Sequence, residues 1–154
     1  MAEVNRIVSG GQTGADRGGL DAAIALGLQH GGWCPARRAA EDGSIPERYE
    51  LRETLSRDYA VRTQLNVRDS DGTVVFARGT PTGGSALTIE HARKLGRPVL
   101  LVDLAVVGTN EAAARVHAWC VAEKIAVLNV AGSRESGAPG IAASVRDVLV
   151  LALK

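Results

Sequence analysis

Aromatic side chains are scarce in this sequence, at 3% of its 154 residues, although apolar residues make up 45%. The core must therefore be built from Ala, Val, Leu and Ile, which are typical of buried parallel strands and of the helices that cover them. A chain of this length is also long enough to bury a core without disulfide or metal crosslinks. The composition favours one α/β domain that spans residues 1–154.

The sequence also lacks an excess of charge, a membrane-length apolar run and a signal peptide. Eighteen Lys and Arg residues balance seventeen Asp and Glu residues, so we expect neither a nucleic acid nor a membrane as partner. No apolar run approaches the roughly 18 residues of a membrane span, and "MAEVNR" has no basic and apolar signal regions. The expected location is therefore the cytoplasm.

Cysteine and histidine are too few and too scattered for a metal centre or a disulfide framework. Cys34 and Cys120 have no metal-ligand spacing, and neither do His30, His91 and His117. We interpret the two cysteines as reduced structural thiols and expect no metal held by protein ligands.

Strand-like and helix-like segments alternate along the chain. Apolar runs predict strands at 6–9, 32–34, 74–77, 99–102 and 126–130, and helical spacing predicts helices at 15–28, 84–95, 111–123 and 141–153. The first helix should bury Leu20, Ile24 and Leu28 as one stripe. Because such alternation produces right-handed βαβ units, we predict a three-layer, Rossmann-like α/β/α sandwich with a mainly parallel sheet of about five strands.

Residues 36–72 interrupt this alternation. The segment is polar and rich in arginine, and its pattern predicts at most short helical turns. Connections in α/β domains usually have two to six residues, and a much longer one is generally functional or forms a subunit contact. We expect a structured excursion over the edge of the sheet. Its mixed charges favour a salt-bridged surface and suit the interface of a homo-oligomer.

Three loops rich in Gly, Ser and Thr follow predicted strands: "SGGQTG" at 9–14, "ARGTPTGGS" at 77–85 and "VAGSRES" at 130–136. In an open α/β sheet such loops meet at the ligand-binding edge, and a helix N-terminus after a glycine loop is suited to bind an anion. The loops and the helices that follow them supply candidate ligand contacts: Gly10, Gly11, Thr13, Gly14, Asp16, Gly83, Gly84, Ser85, Thr88, Gly132 and Ser133. Alternatively, the first-loop glycines serve only the turn and packing, and Thr13, Asp16, Ser85 and Thr88 serve as helix caps or bond to the helix backbone.

Familiar phosphate fingerprints are missing from these loops. The sequence has no G-x-x-x-x-G-K-[ST], and its first loop is not G-x-G-x-x-G, so a P-loop NTPase and an ordinary dinucleotide dehydrogenase are disfavoured. Glu90 lies two helical turns beyond the second loop. It is the candidate to orient a ribose hydroxyl or to act as general acid or base, the alternative being an exposed helix glutamate.

Five longer motifs carry a family resemblance: "SGGQTGADRGGLDAA", "GWCPARRAAEDGSIPERYELRET", "YAVRTQLNVRDSDGT", "TGGSALT" and "LNVAGSRES". Together they resemble the molybdenum-carrier family, the circularly permuted YpsA-like branch of the Rossmann-like superfamily that includes LOG and lysine decarboxylase-like proteins. The resemblance implies binding of a nucleotide or of molybdenum cofactor, a phosphorylated pterin. It adds Gln12 to the contacts of the first loop, which should face those of the second loop, and we include Arg134 of the third.

The LOG relatives imply an alternative function, because they are phosphoribohydrolases that cleave N-glycosidic bonds with an Arg and the Glu of P-G-G-x-G-T-x-x-E. In "TGGSALTIE" the two glycines and Glu90 align, whereas Thr82, Ala86 and Leu87 depart from the motif and Thr88 is shifted by one. The arginines to test as partners are Arg17, Arg62 and Arg134. The sequence thus predicts a phosphorylated-ligand binding protein first, a nucleotide hydrolase second and an interaction module third.

Overall fold

The structure, a computed structural model, describes residues 3–154. Its strands are β1 (Arg6–Val8), β2 (Gln29–Gly31), β3 (Trp33–Cys34), β4 (Ala39–Ala40), β5 (Gly43–Ser44), β6 (Arg52–Glu53), β7 (Gly72–Ala77), β8 (Val99–Asp103) and β9 (Val127–Gly132). Its α-helices are α1 (Ala15–Leu26), α2 (Tyr59–Arg68), α3 (Gly83–Lys94), α4 (Thr109–Ala122) and α5 (Ile141–Leu153). A 3₁₀ turn covers Ala36–Arg38.

Five parallel strands form the central sheet in the order β2-β1-β9-β7-β8. The central strand pair, β7 and β9, is almost fully buried, as expected for apolar strands covered by helices on both faces. This confirms the predicted α/β class and the mainly parallel sheet. The strand predicted at 32–34 is present as β3, but it is not part of the central sheet, because β2 takes that place and ends at Gly31 while β3 pairs with β6.

The strand order is a rearranged form of a common one. If the count starts at β7 and continues through β8, β9, β1 and β2, these strands are numbered one to five. Their spatial order, read from β8 to β2, is then 2-1-3-4-5. This is the doubly wound order of flavodoxin-like sheets, in which the ligand crevice lies between the first and third strands. The corresponding pair here is β7 and β9.

Two helical layers cover the sheet. On one side α5 packs between α1 and α4, and on the other α2 packs against α3. The close approach of α1 depends on glycine, because a Cβ at Gly18 would lie 2.5 Å from the carbonyl oxygen of Ala142. The predicted stripe is confirmed only in part: Leu20 is buried and Leu28 packs against the core, but Ile24 is 46% exposed and small residues form most of the buried face of α1. The helix ends before Gly27, whose φ of 70° is left-handed.

The long segment 36–72 contains more structure than the sequence predicts. It includes the ten-residue helix α2, the strand pair β4–β5 and strand β6, which pairs with β3 outside the segment. Its residues Ile45 and Tyr49 form a small core with Leu20 and Cys34. The prediction of only short turns was wrong, because Asp58 accepts a hydrogen bond from the amide of Ala60 and so begins a true helix. Within residues 3–154, no helix is both long and apolar enough to cross a membrane.

Candidate ligand-binding site

A cavity of about 380 Å³ lies where the strand order changes direction, at the carboxyl ends of β7 and β9. Small-molecule sites usually measure about 300 to 1,000 Å³, so the cavity has room for a ligand of modest size. It lies between the loops after β1, β7 and β9 on one side and helix α2 on the other. Its lining residues are Gln12, Asp16, Tyr59, Arg62, Thr63, Arg78, Thr80, Thr82, Gly84, Ser85, Leu87, Thr88, Ala131, Gly132, Ser133, Arg134, Ser136 and Gly137.

The first turn of α3 presents its backbone to this cavity. Among residues 3–154, no side chain caps the start of α3, and no atom lies within 4 Å of a Cβ built at Gly83 or Gly84. The first amide groups of a helix have no partner within the helix, and they carry the positive end of its dipole. This end of α3 is therefore suited to bind an anion.

The starts of α1 and α5, unlike that of α3, are hydrogen-bonded to other groups of the protein. At α1, the amide of Ala15 donates to the carbonyl oxygen of Ser133 at 3.0 Å. At α5, the carboxylate of Glu135 accepts from the amides of Gly140 and Ala142 at 2.6 and 3.1 Å. Because protein groups already occupy these two helix starts, α3 is the most open of the three.

Three arginines make the cavity positive: Arg62, Arg78 and Arg134. The guanidinium of Arg134 lies 4.8 Å from the centre of the Tyr59 ring, and that of Arg62 lies 5.8 Å from it. Arg78 is held by a 2.5 Å hydrogen bond to the carbonyl oxygen of Pro139. Asp16 is the sole acidic side chain among the described lining residues, so the net charge of the lining favours an anionic ligand.

Asp16 lies at the start of α1 and is 3% exposed. Its Oδ2 accepts from the amide of Gln12 at 3.1 Å and from Nη1 of Arg62 at 3.4 Å. Burial nevertheless raises the pKa of this carboxyl above its usual value, and the nearby positive charges, that of Arg62 first, offset only part of this effect. The cavity thus contains one carboxyl group that is costly to ionise.

The glycines of the first loop contact protein and do not line the cavity. A Cβ at Gly10 would collide with the guanidinium of Arg62, one at Gly11 with Leu51, and one at Gly14 with the carbonyl oxygen of Ser133. The positive φ values of Gly11 and Gly14 also require glycine at these two positions. Their visible role is therefore the turn and the close packing that the sequence left as an alternative.

Thr13 is also not among the residues that line the cavity. Its hydroxyl donates to the carboxylate of Glu41 and accepts from the amide of Glu135 at 3.2 Å. Of the predicted ligand residues, the structure brings together Gln12, Asp16, Gly84, Ser85, Thr88, Gly132, Ser133 and Arg134, and it leaves Gly10, Gly11, Thr13, Gly14 and Gly83 outside the lining.

Glu90 does not reach the cavity. Its side chain is 57% exposed and forms an ion pair with Lys94 at 3.0 Å, which lowers the pKa of the carboxyl. Arg17 is also elsewhere, in a paired contact with Asp42 at 2.6 and 2.9 Å. The geometry that suggested Glu90 as a catalytic residue is therefore absent from the described structure.

Sequence reasoning missed several lining residues, chiefly Tyr59, Thr63 and Arg78. Two of them lie on α2, whose start was signalled by Asp58 followed by a run without Gly or Pro. Arg78 directly follows β7 in the predicted "ARGTPTGGS" loop. Within residues 3–154, no group of three or more His, Cys, Asp or Glu side chains could hold a metal ion. Cys34 and Cys120 are buried free thiols, and burial raises the pKa of each.

Comparison with known proteins agrees with this strand order. The family model described as the circularly permutated YpsA SLOG family matches residues 7–153. A crystal structure from Syntrophus aciditrophicus SB, named "Putative molybdenum carrier protein", is 43% identical in sequence, with a TM-score of 0.96 over 99% of this chain and 96% of that chain. The comparison with curated proteins gave no match. The chain belongs to the circularly permuted YpsA SLOG family.

Proposed function

We propose that this protein binds a phosphorylated small molecule of nucleotide size in the cavity and acts as its carrier or sensor. The observation that carries the proposal is the open start of α3, where Gly84 lines the cavity together with Arg78 and Arg134. Backbone amides at a helix start and guanidinium groups are two common phosphate-binding features in proteins. Their convergence on one cavity favours a phosphate over an uncharged ligand.

The rest of the cavity suits an organic group attached to that phosphate. Tyr59 offers an aromatic ring, and Gln12 and Asp16 offer hydrogen-bond acceptors, which an inorganic anion would leave without partners. Planar heterocycles stack on such rings. A nucleotide or a phosphorylated pterin therefore matches the lining better than phosphate or molybdate alone.

The name of the relative from Syntrophus aciditrophicus SB directs the proposal to molybdenum cofactor as one such ligand. The residues present fit this group: α3 and Arg78 suit its phosphate ester, and the unpartnered Oε1 of buried Gln12 suits an N–H of its pterin. The cofactor would supply the molybdenum chemistry when bound. The protein's own part would be to hold its phosphate and orient its ring.

A binding screen with matched variants tests the proposal. Purified protein is titrated with inorganic phosphate, molybdate, GMP, AMP and molybdopterin while its thermal unfolding is followed. A ligand that binds only the folded state adds about 2.7 kcal/mol of stability at a hundred times its dissociation constant. We expect stabilisation by at least one phosphorylated organic ligand and an affinity loss of about tenfold or more in Arg78→Ala and Arg134→Ala.

Arg146→Ala is the matched control, because Arg146 lies on α5 with a side chain 52% exposed and outside the cavity. It should bind the ligand like the wild type. No stabilisation by any organic phosphate, or an equal affinity loss in Arg146→Ala, would contradict the proposed function.

Cleavage of an N-glycosidic bond is the second candidate function, and one observation favours it. Asp16 is a buried carboxyl in the cavity with a raised pKa, as general acids often are. Incubation with nucleoside monophosphates followed by chromatography for the free base tests this candidate. Activity that is lost in Asp16→Asn and kept in Glu90→Gln would support it, and no release of base by the wild type would rule it out.

A further inference from the structure

The side-chain amide of Gln12 is buried, and only its nitrogen has a hydrogen-bond partner. The side chain is 2% exposed, and its Nε2 donates to the carbonyl oxygen of Ala39 at 2.8 Å. Since a carbonyl oxygen accepts only from a donor, this bond fixes which end of the amide is nitrogen. The opposite end, Oε1, is buried and has no hydrogen-bond partner among residues 3–154. Buried acceptors without partners are rare in folded proteins, so this oxygen requires an explanation.

The same stretch of chain supplies a second acceptor, Asp16, whose Oδ2 lies 3.1 Å from the backbone nitrogen of Gln12. Asp16 uses Oδ2 for both of its hydrogen bonds, to the amide of Gln12 and to Arg62, and Oδ1 takes no part in them. Gln12 and Asp16 both line the cavity. The end of the cavity after β1 therefore carries acceptor oxygens, whereas the end after β7 carries the helix start of α3 and the guanidinium of Arg78.

The strand order separates the two ends of the cavity. Strands β1 and β7 lie on either side of β9, and neighbouring strands are separated by about 4.7 to 4.9 Å, so β1 and β7 are about 9 to 10 Å apart. We therefore expect a tetrahedral oxyanion bound at α3 to leave the Gln12 oxygen without a partner. A phosphate ester with a sugar and a base can extend from one end of the cavity to the other.

We propose that Gln12, together with Asp16, selects the ligand by accepting hydrogen bonds from a pair of neighbouring N–H or O–H donors at the end opposite its phosphate. The inference rests on the proposed function and adds the chemistry of the second half of the ligand. Two parts of a nucleotide present such a pair: the N1–H and amino group of guanine, and the 2′- and 3′-hydroxyls of ribose. A site built to bond such donors strongly rejects an analogue that lacks them, because its buried acceptors then have no partner.

Titration calorimetry of the wild type with four probes tests this selection. The probes are GMP, purine riboside 5′-monophosphate, which lacks the donors of the base, 2′,3′-dideoxyguanosine 5′-monophosphate, which lacks the diol, and inorganic phosphate. We expect GMP to bind about tenfold or more tightly than one of the two analogues, and that analogue identifies the donor pair. Equal affinity for GMP and both analogues would overturn the inference and leave phosphate binding intact.

The variant Gln12→Met assigns the selection to Gln12, since Met has a similar length and removes the amide oxygen. In this variant the ratio of the GMP and analogue affinities should fall to about one, while the affinity for inorganic phosphate stays within about twofold of the wild type. Asp42→Asn is the control. It weakens the contact between Arg17 and the β4–β5 hairpin that contains Ala39, without changing the acceptor.

The outcomes separate the two proposals. A preference for GMP that survives in Gln12→Met, or that Asp42→Asn abolishes equally, would overturn the role of Gln12 and spare the proposed function. Failure of the wild type to bind any of the four probes would overturn both. The wild-type titrations alone decide whether the site requires donors, even if Gln12→Met does not fold.

Discussion

The hydroxyl of Ser136 donates a 2.6 Å hydrogen bond to the carboxylate of Glu41, which also accepts from the hydroxyl of Thr13. Glu41 lies in the turn between β4 and β5, while Thr13 and Ser136 lie in the loops after β1 and β9. One carboxylate thus joins the long segment 36–72 to two of the loops that form the candidate site. These two hydrogen bonds, that of Ser136 first, lower the pKa of Glu41 below its usual value of 4.5.

This pKa predicts a pH-dependent contribution to stability. Because the folded pKa of Glu41 is lower than the unfolded value of 4.5, its ionised form stabilises the fold above pH 4.5, and this stability is lost as the pH falls through the folded pKa. We expect Glu41→Gln to unfold at lower urea concentration than the wild type at pH 7, and the difference to shrink below pH 4.5. Glu47→Gln, which removes an exposed carboxylate from the same segment, is the control. An unchanged difference at low pH would contradict this account.

The two glycine clusters should respond oppositely to alanine. At Gly14 a Cβ would lie 2.2 Å from the carbonyl oxygen of Ser133, and the φ of 85° is strained for any other residue, so Gly14→Ala should destabilise the protein by about 2 to 4 kcal/mol. At Gly84, within α3, no atom lies within 4 Å of the added Cβ. Gly84→Ala should therefore stabilise by about 0.5 to 1 kcal/mol. Urea unfolding measures the stability of both variants. An equal loss of stability in the two variants would refute this prediction.

The elements that the sequence predicts well are those whose own residues determine their structure. The apolar runs of β7 and β9 and the helical spacing of α5 are sufficient because each packs through apolar side chains. Helix α2 was missed because its buried face is largely polar. Asn66, for example, is held by two hydrogen bonds to the backbone of Trp33, which lies 33 residues earlier. Such contacts exist only after the chain has folded.

The sequence predicts which loops form the candidate site better than it predicts which residues of those loops line the cavity. Glycine-rich loops after buried strands indicated the edge of the sheet at which the cavity lies, and eight of the predicted residues line this cavity. A loop sequence does not reveal which side chains face the ligand and which face protein. Gln12 and Thr13 are neighbours, yet the first lines the cavity and the second bonds Glu41 and Glu135.

Asp16 should lower stability at neutral pH. Since burial raises its folded pKa above the unfolded value of 3.8, ionisation costs folding free energy as the pH rises from 3.8 through the folded pKa. We expect Asp16→Asn to be more stable than the wild type at pH 7, with the gain disappearing below pH 3.8. Asp147→Asn, at a side chain 63% exposed, is the control. A less stable Asp16→Asn at pH 7 would mean that the ion pair with Arg62 outweighs the cost of burial.

The strand order predicts that the fold tolerates a chain opened in the connection between α2 and β7. Helix α5 follows β9 and packs beside α1, so its end returns to the sheet edge at which β1 begins. A linker of about six Gly and Ser residues should therefore join residue 154 to residue 3. The new chain would start at Asp69, in the connection between α2 and β7, and its sheet would read 2-1-3-4-5 in chain order.

We expect this permuted protein to fold and to lie within about 2 kcal/mol of the original in unfolding free energy. Under the proposed function, it should also bind GMP as the original does, since every contact of the cavity is preserved. Circular dichroism, urea unfolding and calorimetry with GMP measure these three properties. A second permutant, opened between the buried Ala22 and Ala23 of α1, interrupts a helix in the core and should fail to fold. If the first permutant folds but loses the ligand, then the site depends on the connection between α2 and β7, because that connection is the native linkage it breaks.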